Sequence, residues 1–233
     1  SGDGITSHAG CTGQKFHFCQ TKNNLNTAHA HVDTSAGEIY HHTSINDGDP
    51  DNFSRAALYL PGSGAWTVKN SIFYHDNGYA LGEIGATVNH VIDYNCYISN
   101  LGPTEDVFTV NSTGATWTEW IAALDAGAGS NSDDNSWFIH KVSASVYNCY
   151  KGSAPTTIER TLTYCPVSAS GRLVNLPDNP LIGGGVVIAD VNDGVQTDIV
   201  GKMMYGLPDI GAFERLPFSN NRSGILGTGF GLY

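Results

Sequence analysis

A weak internal repeat limits this chain more than any other feature of its sequence. Five short segments each end in a small residue, at Cys19, Ser44, Ser71, Cys96 and Cys149. The first four lie 25 to 27 residues apart, and the last interval of 53 residues is about two periods. Between them, short runs of β-branched and aromatic residues alternate with clusters of Gly, Asn and Asp, which is typical of strands joined by turns.

A period near 26 residues excludes several repeat architectures. Propeller blades need about 40 to 45 residues, and the segments lack the Leu-rich and helical patterns of horseshoe and helical repeats. The period suits one coil of a parallel β-helix, in which successive coils lay their strands on one another. We therefore predict an all-β solenoid in which residues one period apart are neighbours along the axis.

Stacked coils bring like residues together, and asparagine suits such a position. Its amide both donates and accepts hydrogen bonds, and it tolerates left-handed turns. Asn70, Asn95 and Asn148 occupy matching places in the repeat, so we predict that they form a ladder. The alternative is that YNCY recurs by chance in a chain rich in Asn and Tyr.

One helix is indicated, over residues 116–126. Trp117, Trp120, Ile121 and Leu124 follow the i, i+3, i+4, i+7 spacing, with Thr116 or Thr118 as the N-cap and Gly127 as a stop. The segment falls inside the 53-residue interval. We predict an excursion from the solenoid over about 116–136, whose tryptophans cover an apolar face or an open end.

Charge is scarce and negative, with 11 Lys and Arg against 22 Asp and Glu, a net charge of −11. Charged residues make up 14% of the chain, where soluble domains usually have roughly 25%. Nucleic acid is disfavoured as a partner because few cations are available to neutralise phosphates. No apolar run approaches the roughly 20 residues of a membrane span. Five Cys without a CxxC pair predict mostly buried thiols, and a Cys11–Cys19 disulfide stays open.

The last third carries a specific resemblance. Residues 171–173 (GRL), 178–185 (DNPLIGGG), 197–201 (TDIVG) and 208–214 (PDIGAFE) follow the order that closes right-handed parallel β-helix proteins. The similarity covers about residues 66–214, with departures at residues 179–182 (NPLI) and at Met203 and Met204. The family includes polysaccharide lyases, bacterial surface proteins and phage structural proteins, so the resemblance implies a fold and not a chemistry.

The resemblance predicts the domain organisation. Residues 1–215 form the right-handed parallel β-helix, and residues 216–233 form an apolar, Gly-rich tail that packs on a partner or on the flank of the β-helix, or is disordered. The N-terminal cap of the family is not recognisable. An uncapped solenoid exposes strand edges, which predicts coils upstream of Ser1 or a neighbouring subunit over that end.

The column two residues before each small residue is the predicted carbohydrate-binding strip. Aromatic rings, hydroxyls, imidazoles and ammonium groups suit a sugar when they face outward together. The alternative is that stacked surface residues only stabilise neighbouring coils. The strip consists of His17, His42, Lys69, Tyr94 and Tyr147.

A metal site and an active site have weaker signals. Asp47, Asp49 and Asp51 supply hard oxygen ligands in one turn, so calcium is possible there, although an acidic surface turn is the simpler interpretation. No other cofactor is predicted. Glycoside hydrolysis needs two carboxyl groups about 5 to 9.5 Å apart, and no spacing in the chain selects such a pair. No catalytic residue is assigned.

These observations favour a structural and recognition role. We predict an extracellular or virion-surface protein, of the phage spike, fibre or decoration type, that presents a β-helix face to glycans or to neighbouring subunits in a homotrimer or larger assembly. The alternative is a secreted polysaccharide lyase or glycoside hydrolase of the same class. A cluster of cations and acids on one coil face would favour the enzyme.

Overall fold

The structure is a computed structural model of the 233-residue chain. It describes residues 4–7, 10–24, 27, 29–31, 35–47, 56–76, 81–85, 89–128, 133–188 and 207–212. The predicted tail over residues 216–233 lies outside the described residues, as do Asp49 and Asp51.

Most of the described elements are short strands, and the single described helix is 12 residues long. The prediction of an all-β chain with one short helix is confirmed at this level. The bounds, in chain order, are β1 Ile5–Ser7, β2 Gln14–His17, β3 Gln20–Lys22, β4 His29–His31, β5 Gly37–Tyr40, β6 Thr43–Ile45, β7 Leu58–Leu60, β8 Trp66–Lys69, β9 Ile72–His75, β10 Gly82–Ile84, β11 Val91–Asp93, β12 Cys96–Ser99, β13 Phe108–Val110, β14 Thr113–Ala115, α1 Trp117–Ala128, β15 Trp137–Ser143, β16 Val146–Lys151 and β17 Ala154–Leu162.

The strands belong to three sheets, which the chain visits in rotation from β1 to β13. The first sheet has the order β1-β4-β7-β10-β13-β14, the second β11-β8-β5-β2, and the third β17-β16-β15-β12-β9-β6-β3. Neighbours are parallel except at β13–β14, β15–β16 and β16–β17, which are antiparallel. The chain passes through the two other sheets before it returns to the same sheet, where the new strand lies parallel to the previous one. The chain therefore advances by one layer with each rotation.

Residues about one period apart do lie side by side. In the third sheet Gln20 pairs with Thr43, Thr43 with Ile72, and Ile72 with Cys96. The intervals of 23, 29 and 24 residues differ because the connecting loops differ in length. The predicted stacking of β6, β9 and β12 is therefore confirmed, although the alignment of individual residues was off by one or two positions.

The predicted asparagine ladder is wrong. Asn70 sits at the corner between the second and third sheets, in the left-handed region with φ 54°. Its equivalents in the other layers are Phe18, His41 and Tyr94, with φ of 52°, 52° and 57°. The corner requires a left-handed backbone conformation, and four residues with different side chains adopt it. Asn148 instead lies in the antiparallel strand β16.

A different polar ladder runs beside that corner. The backbone N–H of His42 donates to Ser71 Oγ (3.2 Å), that of Ser71 to Asn95 Oδ1 (3.0 Å), and that of Asn95 to Ser136 Oγ (2.8 Å). Asn95 Nδ2 also donates to the Val68 carbonyl (2.9 Å). Because Asn95 is fully buried, these bonds satisfy groups that water cannot reach.

The space between the three sheets is an apolar core. Alternate residues of each strand point into it, among them Ile39, Val68 and Ile92 of the second sheet. Phe73 and Tyr97 of the third sheet stack with their ring centroids 5.8 Å apart. All five of these residues are 0% exposed.

Helix α1 packs its tryptophans on this apolar core. Trp117 and Trp120 are both 0% exposed and pack on Phe108. The N-cap is Thr116, whose Oγ1 accepts from the Glu119 N–H (3.3 Å) while Glu119 Oε2 accepts from the Thr116 N–H (2.8 Å), a reciprocal capping box. The helix continues through the predicted stop at Gly127 to Ala128.

A second apolar core covers the outer face of the third sheet. Residues 163–188 and 207–212, which we call the closing segment, lie on that face. Ile72 and Ile98 of the sheet cluster there with Val167, Leu181 and Ile210. Strands β6, β9 and β12 of the third sheet are thus buried on both faces, as their apolar runs require.

The PDIGA part of the C-terminal motif fastens the closing segment. Asp209 Oδ1 accepts from the Gly183 N–H (2.7 Å), and the Gly211 N–H donates to the Asn70 carbonyl (2.7 Å). Gly211 has φ 114°, and a Cβ there would lie 2.6 Å from Ile72 Cδ1. Asn70 holds the segment a second time, because its side-chain amide donates to the Val186 carbonyl and accepts from the Val186 N–H (2.7 and 2.8 Å).

All five cysteines are free thiols, so the optional Cys11–Cys19 disulfide is not formed. Cys96 and Cys149 are buried, Cys19 and Cys165 are half-buried, and Cys11 is exposed. The prediction of mostly buried thiols holds only for the two that lie under the closing segment. No helix within the described ranges is long and apolar enough to cross a membrane.

Candidate functional site

The outer face of the second sheet carries part of the predicted carbohydrate strip. In β2, β5, β8 and β11 one set of alternate residues enters the core, so the other set faces outward. The register places one outward column along the axis. It consists of His17, Tyr40, Lys69 and Asp93.

Three of the five predicted residues are on or beside this column. His17 and Lys69 are in it, both half-buried, with Tyr40 between them. Tyr94 follows Asp93 directly at the left-handed corner and is also half-buried. Its N–H donates to Asp93 Oδ1 (2.9 Å), which fixes the corner.

The solvent exposure predicted for His42 and Tyr147 is wrong. His42 is 0% exposed, and its Nε2 lies 3.0 Å from Thr21 Oγ1. It belongs to the polar ladder beside the corner because the alignment there was shifted by two residues. Tyr147 is 4% exposed, in the second apolar core next to the closing segment. Its strand, β16, pairs antiparallel with β15 and leaves the repeat altogether.

Glu38 is a functional candidate that the repeat analysis missed. It lies in the outward column next to the first one, paired with Lys15 in register. Glu38 Oε2 is 3.4 Å from Lys15 Nζ and 3.7 Å from His17 Nε2. The side chains of Lys15, Glu38 and His17 are 51%, 26% and 21% exposed, while the atoms Glu38 Oε2 and His17 Nε2 that face each other are buried. The alternation of polar and apolar residues in QKFH (β2) and GEIY (β5) was the sequence signal that could have placed Lys15 and Glu38 on the same outward face.

The imidazole of His17 is held in place and kept neutral. It stacks on Tyr40, with ring centroids 5.1 Å apart and an interplanar angle of 26°. Burial lowers the pKa of His17, and this outweighs the opposite effect of the Glu38 carboxylate. A neutral imidazole both donates and accepts a hydrogen bond, which suits a hydroxyl-rich ligand.

We call this group the axial face: Lys15, His17, Glu38, Lys69 and Tyr94. Its members come from β2, β5, β8 and the corner after β11, so it crosses four layers. Adjacent layers are about 4.8 Å apart. The polar groups of the axial face are therefore spaced along the axis at a short, regular interval.

Asp47 cannot serve the predicted calcium site as an exposed ligand. It is 0% exposed, and its Oδ2 accepts from Thr21 Oγ1 (2.7 Å) and Ser44 Oγ (2.8 Å). Its Oδ1 accepts from the N–H and the side-chain amide of Asn24 (2.8 Å each). These four bonds use the acceptor capacity of a carboxylate. In the part of the chain that the structure describes, no group of three or more His, Cys, Asp or Glu is placed to hold a metal ion.

No family model matches the chain, and neither the curated proteins nor the solved structures include a significant match. The interpretation of the axial face therefore depends on its own geometry.

Proposed function

We propose that the chain is a right-handed parallel β-helix. The rotation of thirteen consecutive strands through three sheets, with in-register parallel pairing, supports this architecture. Connections between parallel strands of one sheet are almost always right-handed, which supports the hand. The bond between Asp209 and Gly183 within the closing segment, and the contacts of Gly211 with Asn70 and Ile72, support the resemblance of the C-terminal motif to the closing coil of that family.

The function that we propose is recognition of a linear glycan along the axial face. The single observation that carries it is the alignment of Lys15, His17, Glu38 and Lys69 on the outward side of in-register strands. The protein would then be an extracellular or virion-surface component, of the phage spike, fibre or decoration type.

The third sheet also supports assembly with other subunits, in a homotrimer or larger. Strand β17 is the last strand of that sheet, and residues 156–161 are exposed. Ile158 on this strand is 49% exposed. An exposed edge strand offers unpaired backbone groups to another chain. Light scattering of the purified protein would measure the assembly directly.

Glycan-array binding tests the main proposal. Lys69→Met and Tyr94→Ala should lose retention on the glycans that bind the wild type, because each removes part of the axial face without touching the core. Lys151→Met is the matched control, since Lys151 is a lysine on β16 of the third sheet, outside the axial face. Equal retention by Lys69→Met, Tyr94→Ala and the wild type would refute the proposal.

A second candidate is a polysaccharide lyase or glycoside hydrolase, favoured by the position of Glu38 between two basic groups. A carboxylate beside a lysine and a neutral histidine can accept or donate a proton at a sugar. Glu38→Gln should then abolish product release from a polysaccharide panel while the thermal midpoint stays unchanged. Glu159→Gln, an exposed glutamate on β17, is the control. No turnover by the wild type on any substrate would leave recognition as the only candidate.

A further inference from the structure

A cleft separates the third sheet from part of the closing segment. Its volume is about 320 Å³. One wall includes Lys22, Ile45 and Tyr74 from the sheet, and the opposite wall includes Val167 and Val174. Ligand pockets begin at about 300 Å³, so the cleft has room for one small molecule.

The walls of the cleft are held by specific contacts. Lys22 Nζ donates to the Ala169 carbonyl (2.8 Å), and Gln20 Nε2 donates to the Ser170 carbonyl (2.7 Å). Gly171 follows with φ 81°, and a Cβ there would lie 2.2 Å from Gln20 Nε2. The left-handed backbone at Gly171 favours glycine, and the missing Cβ leaves room for the Gln20 amide. The cleft is therefore a built feature between two fixed surfaces.

One side of the cleft is apolar and the other can form hydrogen bonds. Ile45 and Val167 are 2% exposed, and Val174 lines the same space. Tyr74 is 8% exposed, and burial, followed by the nearby Cys165 and Asp76, raises the pKa of its hydroxyl. The Tyr74 hydroxyl is hydrogen-bonded to Asp76, and its oxygen can accept a further hydrogen bond from a ligand. An apolar wall facing a polar one suits the C–H face and the hydroxyls of a sugar ring.

The charge balance around the cleft is positive in a strongly negative protein. Asp76 lines the cleft, and Lys141 Nζ lies 2.5 Å from its Oδ1, so this pair is neutral. Lys22 donates to a neutral carbonyl, and in the described ranges it has no carboxylate at ion-pair distance. One ammonium charge is left over at the cleft, against a chain net charge of −11. This charge favours an anionic group on the ligand.

We propose that the cleft binds a sugar acid: its carboxylate meets Lys22, its ring lies on Ile45, Val167 and Val174, and its hydroxyls bond with Tyr74 and Asp76. A carboxylate paired with an ammonium group forms a charge-assisted bond, stronger than a neutral one. The site is separate from the axial face and does not depend on the function proposed there.

Calorimetry with three sugars tests the proposal. D-glucuronate and N-acetylneuraminate are the acidic probes, and D-glucose is the neutral one. At least one acid should bind measurably, about tenfold or more tightly than glucose, and rising salt should weaken the binding. Equal binding of acids and glucose, or no binding of either acid, would overturn the proposal.

Two variants locate the binding. Lys22→Met should weaken acid binding about tenfold, the loss expected for one charge-assisted hydrogen bond. Lys151→Met is the matched control, because it removes a lysine of the third sheet that lines neither the cleft nor the axial face, and its binding should stay at the wild-type level. Val174→Trp should fill the cleft and abolish binding with no change in charge. Acid binding that survives Val174→Trp, or that falls equally in both lysine variants, would refute the site.

The outcome is distinguishable from that of the glycan proposal. Lys69→Met changes the axial face alone and should leave acid binding in the cleft unchanged. Loss of glycan-array retention with intact acid binding would support both sites. Acid binding without any array retention would refute only the axial face.

Discussion

Asp133 makes the stability of this protein depend on pH in a direction that is unusual for a carboxylate. It is 0% exposed, and its carboxylate accepts from Trp120 Nε1 (2.7 Å), from the Tyr97 hydroxyl (3.0 Å) and from Ser136 Oγ. Burial raises the pKa of Asp133 from 3.8 to about 7, a larger effect than the opposing one of its hydrogen bonds. The folded state therefore holds the proton more tightly than the unfolded state.

The magnitude follows from linkage. A pKa difference of about three units corresponds to about 4 kcal/mol, since one unit is worth about 1.4 kcal/mol. The stabilising contribution is complete below pH 3.8, decreases as the pH rises, and is lost above about pH 7. Over that interval, the free energy of unfolding should decline by about 4 kcal/mol from this one group.

Urea unfolding at a series of pH values would measure the decline. Asp133→Asn cannot ionise, so its free energy of unfolding should lack this component, and the difference between wild type and variant should shrink by about 4 kcal/mol between pH 4 and pH 8. Asp106→Asn, at an exposed position, is the control and should follow the wild type. A difference between wild type and Asp133→Asn that stays constant with pH would refute the reasoning.

Three further changes have expected outcomes. Asn95→Ala should lower the free energy of unfolding by about 1 to 3 kcal/mol, because the Ser71 N–H and the Val68 carbonyl lose their partner, while Asn148→Ala, whose partner Thr161 is exposed, should cost less in the same urea titration. Gly152→Ala should cost about 3 kcal/mol, measured by thermal unfolding, because its Cβ would meet the backbone carbonyl of Asp133; a near-neutral result would contradict this packing. Thr116→Ala should cost about 1 kcal/mol by removing the N-cap of α1, and circular dichroism melts should detect it; an unchanged melt would exclude a role for the cap.

The sequence contained enough information for the layers and the helix. A repeat near 26 residues predicted which strands are neighbours, and the pairing of β6, β9 and β12 confirms it. The spacing of Trp117 and Trp120 predicted α1, because an amphipathic helix needs only local periodicity. Both features depend on patterns that are visible within one or two periods.

The exact register could not be read in the same way. The corner residue is defined by its positive φ, and Phe18, His41, Asn70 and Tyr94 all fill it. No residue type marks the position, so an alignment on small residues slipped by one or two places. Because of this error in the alignment, His42 was predicted to face solvent, and the pairing of Glu38 with Lys15 was not predicted.

Burial by distant segments was also invisible to a periodic analysis. Tyr147 occupies an outward position of the third sheet, yet it is 4% exposed in the second apolar core. Val167, Leu181 and Ile210, which share that core, come from later in the chain. Local alternation predicts which face a residue is on, and only the tertiary structure tells whether that face is covered.

The fastening of the closing segment imposes an order of events during synthesis. Val186 bonds to a side chain 116 residues earlier, and Ala212 donates to Thr43 Oγ1 across 169 residues (2.9 Å). The ribosome releases Ile45, Ile72 and Ile98 before the residues that shield them, so the nascent chain carries an uncovered apolar surface until the closing segment emerges. We expect chains halted before residue 181 to aggregate, and chaperones to protect this surface until the last segment emerges.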